Sequence, residues 1–253
     1  MVVQTIKLVD LQSYVTERAK AKTRNGTVTG TTIKKELDTL RTVWRWAVDR
    51  GLLCGEFPSR GLRLPKAKEP PIFKTWQEIE TQQKLSTSAN LWDSLYLTME
   101  EIESLLDHVK AAASLPFVYP MFCMAAYTGA RRSELIRSEV SDIDLKAAVL
   151  TIRERKRVRG SHSTRRVPIA KPLHGALKDW LQTHPGSVYT FRPLSPIARS
   201  SNRTEIPICV TAEQASHYFE MTLKYSKWKV IRGWHCLRHS FISNCASRGI
   251  DQR

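Results

Sequence analysis

Two segments place guanidinium groups where a globular chain has little structural use for them: Thr128-Gly129-Ala130-Arg131-Arg132-Ser133-Glu134-Leu135 and His235-Cys236-Leu237-Arg238-His239. The second opens an apolar run, Leu237, Phe241, Ile242 and Cys245, whose period predicts a helix beginning near His235. On that helix His235 and Arg238 are three apart and share a face. In the first segment Gly129 ends one helix, and Arg131 and Arg132 fall in the first turn of the next. A cation there opposes the helix dipole, at a cost of about 0.3–1 kcal/mol unless an anion sits nearby. That anion is either Glu134 or a phosphate held at the helix start. Arginine suits phosphodiester chemistry because its planar fork binds two oxygens and stays protonated at any working pH. A histidine beside it can move a proton or donate a hydrogen bond to the phosphate.

The pattern T-G-x-R-x-S-E-L, followed a hundred or so residues later by H-x-L-R-H, resembles that of the tyrosine recombinases, the phage-integrase and Xer-like family. The resemblance implies a site-specific DNA recombinase or integrase that cleaves and rejoins strands through a 3′-phosphotyrosyl intermediate. In it Arg131, His235 and Arg238 gather around one scissile phosphodiester. It also implies that Lys156, in a basic hairpin, is the general acid for the departing 5′ oxygen. Glu134 would hold a guanidinium or the hairpin in position, and His239 either supports the site or is a plain core histidine capped by a carbonyl. With two arginines and a lysine on the phosphate, no metal or other cofactor is expected. Zinc on His235, His239 and Cys236 would need further ligands at suitable spacing, and His-Glu-x-x-His is absent.

The family places a nucleophilic tyrosine on a late helix beyond H-x-L-R-H. The tyrosines here, at 14, 96, 119, 127, 189, 218 and 225, all precede the motif. The expectation is a recombinase truncated before its nucleophile, binding duplex DNA without cleaving it, the tyrosine being lost or donated in trans. A homotetramer on paired sites is implied only for the full-length protein. Two alternatives stay open: a non-catalytic DNA-binding protein on the same fold, and a type IB topoisomerase-like enzyme.

Composition agrees with a polyanionic partner. The 253 residues carry a formal net charge of +16, and 42% are hydrophobic, enough for two modest domains with real cores. The longest apolar run, Leu115 to Tyr127, is broken by Pro116 and Pro120 and falls short of the roughly 20 residues a spanning helix needs. Neither a membrane nor a secretion signal is expected. Five cysteines without CxxC spacing fit reduced thiols, so a cytoplasmic, nucleoid-associated protein is the expectation.

The elements that must position these residues follow in chain order. Mainly α structure with a small antiparallel β-sheet is expected: a helical core-binding (SAM-like) domain over 1–66, possibly incomplete at its start, a linker over 67–97, and an α+β catalytic domain over 98–253. Helices are predicted over 8–20 and about 32–50, the latter with Gly51 at its C-terminal cap. About three helices fit before Pro65. The outer face of the second offers Lys34, Arg41 and Arg45 to DNA. A short helix over 76–85 is allowed within the linker. Capping boxes at Thr98 and Thr211 open two further helices, and Pro172 another. Ser141 to Asp144 reads as a turn, Ser187 to Phe191 as a third strand, and 192–207 as an irregular loop. Strands over 148–153 and 165–169 flank a segment in which Arg153, Arg155, Lys156, Arg157, Arg159, Arg165 and Arg166 face a lone Glu154. Charge this dense repels itself unless phosphates neutralise it, so those arginines are expected to touch DNA.

Overall fold

The computed structural model describes residues 3–23, 26–66, 72–85, 91–158, 161–193 and 207–250, without the side chains of 85, 155–158 and 161–163. The chain divides into two compact units, Met1–Pro71 and Ile72–Arg253. It is mainly helical with a small antiparallel sheet, as expected.

In the smaller unit, helices α1 (Leu8–Lys20) and α2 (Gly30–Asp49) are joined through two-residue antiparallel strands β1 (Lys22–Thr23) and β2 (Gly26–Thr27). Thr29 caps α2, its Oγ1 accepting from Thr32 N. Leu11, Val15, Val28, Ile33 and Leu37 form one core, and Trp44, Ala47 and Leu53 a second. Gly51 takes φ +69° just past the end of α2, as its place in the sequence predicts. Where about three helices were expected, the described residues hold α1, α2 and a single 3₁₀ turn, Val3–Thr5. Across the pair, Arg18 and the Tyr14 hydroxyl both reach Glu36, at 2.7 and 2.6 Å.

The larger unit begins earlier than the capping box at Thr98. Of the segment expected as a linker, residues 72–97 carry Ile79, on α3 (Trp76–Leu85), and Leu95 and Leu97, beyond it, fully into the main core. Next come α4 (Met99–Ala112), with Ile102, Leu105, Leu106 and Val109 inward, and α5 (Val118–Thr128), buried nearly all round. The short helix α6 (Arg132–Ile136) leads to a sheet of order β3-β4-β5, all antiparallel. Here β3 is Ile143–Asp144, β4 is Val149–Val158 and β5 is Ser161–Pro168.

The sheet departs from expectation in two ways. The third strand is Ile143–Asp144, read from sequence as a turn, whereas Ser187–Phe191 contributes only an isolated bridge, Glu139 with Tyr189. The hairpin strands also run on through most of the basic segment, with a register irregularity between Arg153 and Arg157. Helices α7 (Lys171–Gln182), α8 (Ala212–Leu223) and α9 (His235–Ser247) complete the unit. The segment expected as a loop lies largely outside the described residues.

Candidate active site

Helix α5 ends at Gly129 with φ +60°, the left-handed geometry that glycine adopts without strain. A second constraint acts at the same residue: a Cβ there would lie 2.6 Å from the Phe241 ring of α9. The close approach lets Arg238, on the face of α9 predicted from sequence, donate from Nη1 to the Gly129 carbonyl at 2.6 Å. Helix α9 is held from its other side by main-chain groups of residues 95–97. Ser240 Oγ accepts from Leu97 N at 2.8 Å, Asn244 Nδ2 donates to Leu97 O at 2.8 Å, and the Cys236 thiol points at Leu95 O. Leu237 and Ser240 are its buried residues, while Phe241, Ile242 and Cys245 are only half-buried, so the apolar run predicted its period better than its burial.

Arg131 is the N-cap residue of α6 rather than a member of its first turn. The anion that its position calls for is Glu134, 3% exposed, which accepts from Arg131 N at 2.9 Å and from Arg131 Nη1 at 2.7 Å. The same carboxylate meets Arg165 Nη2 at 3.4 Å. Arg165 lies on β5, opposite Ile152 of β4, and its other arm pairs with Glu154 at 3.2 Å. Burial, then the neighbouring charges of Arg131 and Arg165, lower the affinity of Arg238 for its proton, while Glu134 and Glu154 oppose the shift. Residues from four elements, α6, β4, β5 and α9, thus share one electrostatic environment.

A cavity of about 360 Å³ opens beside them, lined by Arg131, Arg132, Ser216, Arg232, Trp234 and His235 among others. His235 is exposed at the first position of α9. The Arg131 side chain remains 42% exposed despite its ion pair, so part of its fork is free to face an incoming group. His239 packs against Phe73, ring centroids 4.4 Å apart, rather than under a carbonyl. Burial, with the charges of His235 and Arg238, holds its pKa below the usual imidazole value.

The other residues singled out from sequence are more dispersed. Lys34 and Arg45 are exposed on α2, in the smaller unit. Arg41 of that helix is turned to Asp38 at 2.9 Å and lies over the Phe57 ring. Arg153 remains exposed, but its counterions are Glu139 and Asp142, at 2.7 and 2.8 Å, carboxylates that lie outside the hairpin sequence. Arg165 is likewise turned to Glu134 and Glu154, whereas Arg166 is exposed. Lys156, Arg155 and Arg157 lie on β4 with side chains outside the description, and Arg159 lies outside the described residues. Among the described residues no cluster of three metal-ligating side chains occurs, and no helix is long and apolar enough to cross a membrane.

Two further arginines line the cavity: Arg132, noted in the sequence beside Arg131 but given no place in the site, whose Nη1 reaches Ser216 Oγ, and Arg232, which pairs with Asp93 at 3.3 Å. Each adjoins a motif residue, Arg131 or the Gly233-Trp234-His235 run, and that adjacency was the available signal.

The phage integrase family matches residues 96–253. The tyrosine recombinase XerC of Mycobacterium bovis (strain BCG / Pasteur 1173P2) is 26% identical over 226 residues, 88% of this chain and 66% of that protein. The chain therefore spans about two thirds of the length of this curated relative. Among solved structures, the Tn1549 transposon integrase in complex with circular intermediate DNA superimposes with a TM-score of 0.61 at 16% identity, covering 100% of this chain and 76% of that one. The XerH site-specific recombinase bound to its difH substrate gives 0.57 at 15% identity, covering 98% and 62%. At such identities the likeness is one of fold.

Proposed function

The chain belongs to the phage integrase family of tyrosine recombinases, and from that premise we propose that the cavity lined by Arg131 and His235, with Arg238 one turn further along α9, receives one backbone phosphate of duplex DNA. The observation that carries this reading is the convergence of Arg131 and Arg238, one held by Glu134 and the other by the Gly129 carbonyl. The two guanidiniums neutralise the non-bridging oxygens as charge builds up on them. His235 donates a hydrogen bond or moves a proton, and Lys156 on β4 supplies the proton to the departing 5′ oxygen. With a tyrosine nucleophile supplied, this is the chemistry of strand cleavage and rejoining on paired sites, with a homotetramer as the assembly. The named relatives, a Xer recombinase and a transposon integrase, support the same reaction class.

The 253 residues bind duplex DNA without forming a phosphotyrosyl bond on any of their own tyrosines. Supporting this, Tyr127 is held in α5 with its phenol pushed up to about 12 by burial, and Tyr119 of the same helix is raised for the same reason. Tyr14 donates to Glu36 in the smaller unit. Incubation with a nicked suicide duplex, followed by denaturing electrophoresis, tests the point. A retarded covalent band would overturn it, whereas a retarded complex only under native conditions is the expected result. In a chain that carries the nucleophile, Arg131→Ala or Arg238→Ala should lower the cleavage rate about 10²–10³-fold and spare most of the DNA affinity.

A further inference from the structure

The β4–β5 hairpin carries Lys156, and some contact must fix it against the Arg131 helix if both are to serve one phosphate. Arg165 makes that contact. From β5 it reaches Glu134 Oε2 and the Thr128 carbonyl with Nη2, each at 3.4 Å, and Glu154 with Nη1 at 3.2 Å. Its acceptors therefore sit on β4, at the end of α5 and in α6. A guanidinium spreads its donors over separate nitrogens in one plane and so reaches both sides; a lysine ammonium has three donors but all on one atom, a single point charge.

The charge balance gives the contact a second consequence. Arg131, Arg165 and Arg238 stand against Glu134 and Glu154, and the cavity lining adds Arg132 and Arg232 against Glu220, so cations outnumber carboxylates around the cavity. Without Arg165, Glu134 would have Arg131 as its remaining side-chain partner among the ion pairs described, and the positive excess would fall by one charge.

We infer that Arg165 is a positioning residue: it shares Glu134 with Arg131, locks the hairpin to the start of α6, and leaves the Arg131 fork able to take a phosphate. This replaces the sequence-based expectation that Arg165 itself touches DNA, and it rests on the reading of the cavity as a phosphate site. The mechanism separates Arg165 from a residue needed only for folding, since its loss should act through one particular phosphate.

The test uses the 253-residue chain and a set of duplexes, each carrying one neutral methylphosphonate at a different backbone position, with affinity read by fluorescence anisotropy. The phosphate in the cavity is the one whose neutralisation weakens binding of the wild-type chain by roughly tenfold and of Arg131→Ala by clearly less, Arg238 being left beside it. If no such position exists, the phosphate-site reading itself falls. Given such a position, Arg165→Ala should shrink the penalty at that same phosphate to less than about threefold, with circular dichroism unchanged, and Arg165→Lys should fail to restore it. Loss of a penalty at a different phosphate would make Arg165 a direct DNA contact and overturn the inference. So would an unchanged pattern, or full restoration by lysine. Should Arg165→Ala not fold, Arg165→Lys carries the same comparison alone.

Discussion

Glu134 accepts a main-chain N–H and a guanidinium from Arg131 and reaches Arg165 while almost fully buried, so it is the residue whose loss should be felt most locally. Glu134→Ala leaves the Arg131 N–H without its partner and is expected to cost about 1–3 kcal/mol in urea denaturation, the usual penalty for an unsatisfied buried donor. His239 offers a pH prediction. Its pKa is depressed in the folded state, so its contribution to stability is full above the unfolded value and is lost as pH falls through the lower, folded one. Phe73→Ala opens one side of that ring to water and should bring the His239 pKa back toward the usual imidazole value, read from its NMR titration. Glu36 behaves in the same sense. Hydrogen bonds from Arg18 and then Tyr14 lower its pKa from 4.5 to about 2, so stability from this network is lost as pH falls through that window. Of the residues around the candidate site, the sequence singled out Arg131, Glu134, His235, Arg238 and His239, because two short motifs carry them and together resemble a known family. The Phe73 contact and the Arg18–Tyr14–Glu36 network join residues far apart in sequence, and no period announces such pairs.

At the scale of elements, the site depends on the close approach of α5 and α9. Gly129→Ala combines a left-handed backbone with a Cβ placed against Phe241, and should destabilise the fold by roughly 2–5 kcal/mol. Gly129→Ala with Phe241→Ala should recover part of that loss but not the backbone strain, which thermal denaturation of the pair will show. Helices were the legible part of this chain: capping boxes at Thr98 and Thr211 and the apolar faces of α4 and α8 are local signals, and the structure follows them. The sheet was less legible for a physical reason. A two-residue strand such as Ile143–Asp144 has no alternation to read, and it is a strand only because β4 supplies its partner. The ion pairs of Arg153 were hidden likewise, since Glu139 and Asp142 reach it through the fold rather than along the hairpin.

For the whole molecule, the excess of basic residues predicts binding that weakens steeply with salt. The slope of log K against log salt should be about −0.9 per phosphate contacted, and exposed Lys34, Arg45 and Arg166 should each reduce it by about one when replaced by alanine, if they touch DNA. The larger unit has its own core, so residues 72–253 expressed alone should keep a cooperative thermal transition. That unit is also closed by its two ends. Leu95 and Leu97 meet Cys236, Ser240 and Asn244 across separations of 141 to 147 residues. On the ribosome, then, a chain can have made every helix from α3 to α8 and still have an incomplete arginine cluster. Arg238 joins Arg131 and Arg165 only when α9 has emerged and folded back onto Leu95–Leu97, which makes that cluster the last part of the unit to assemble.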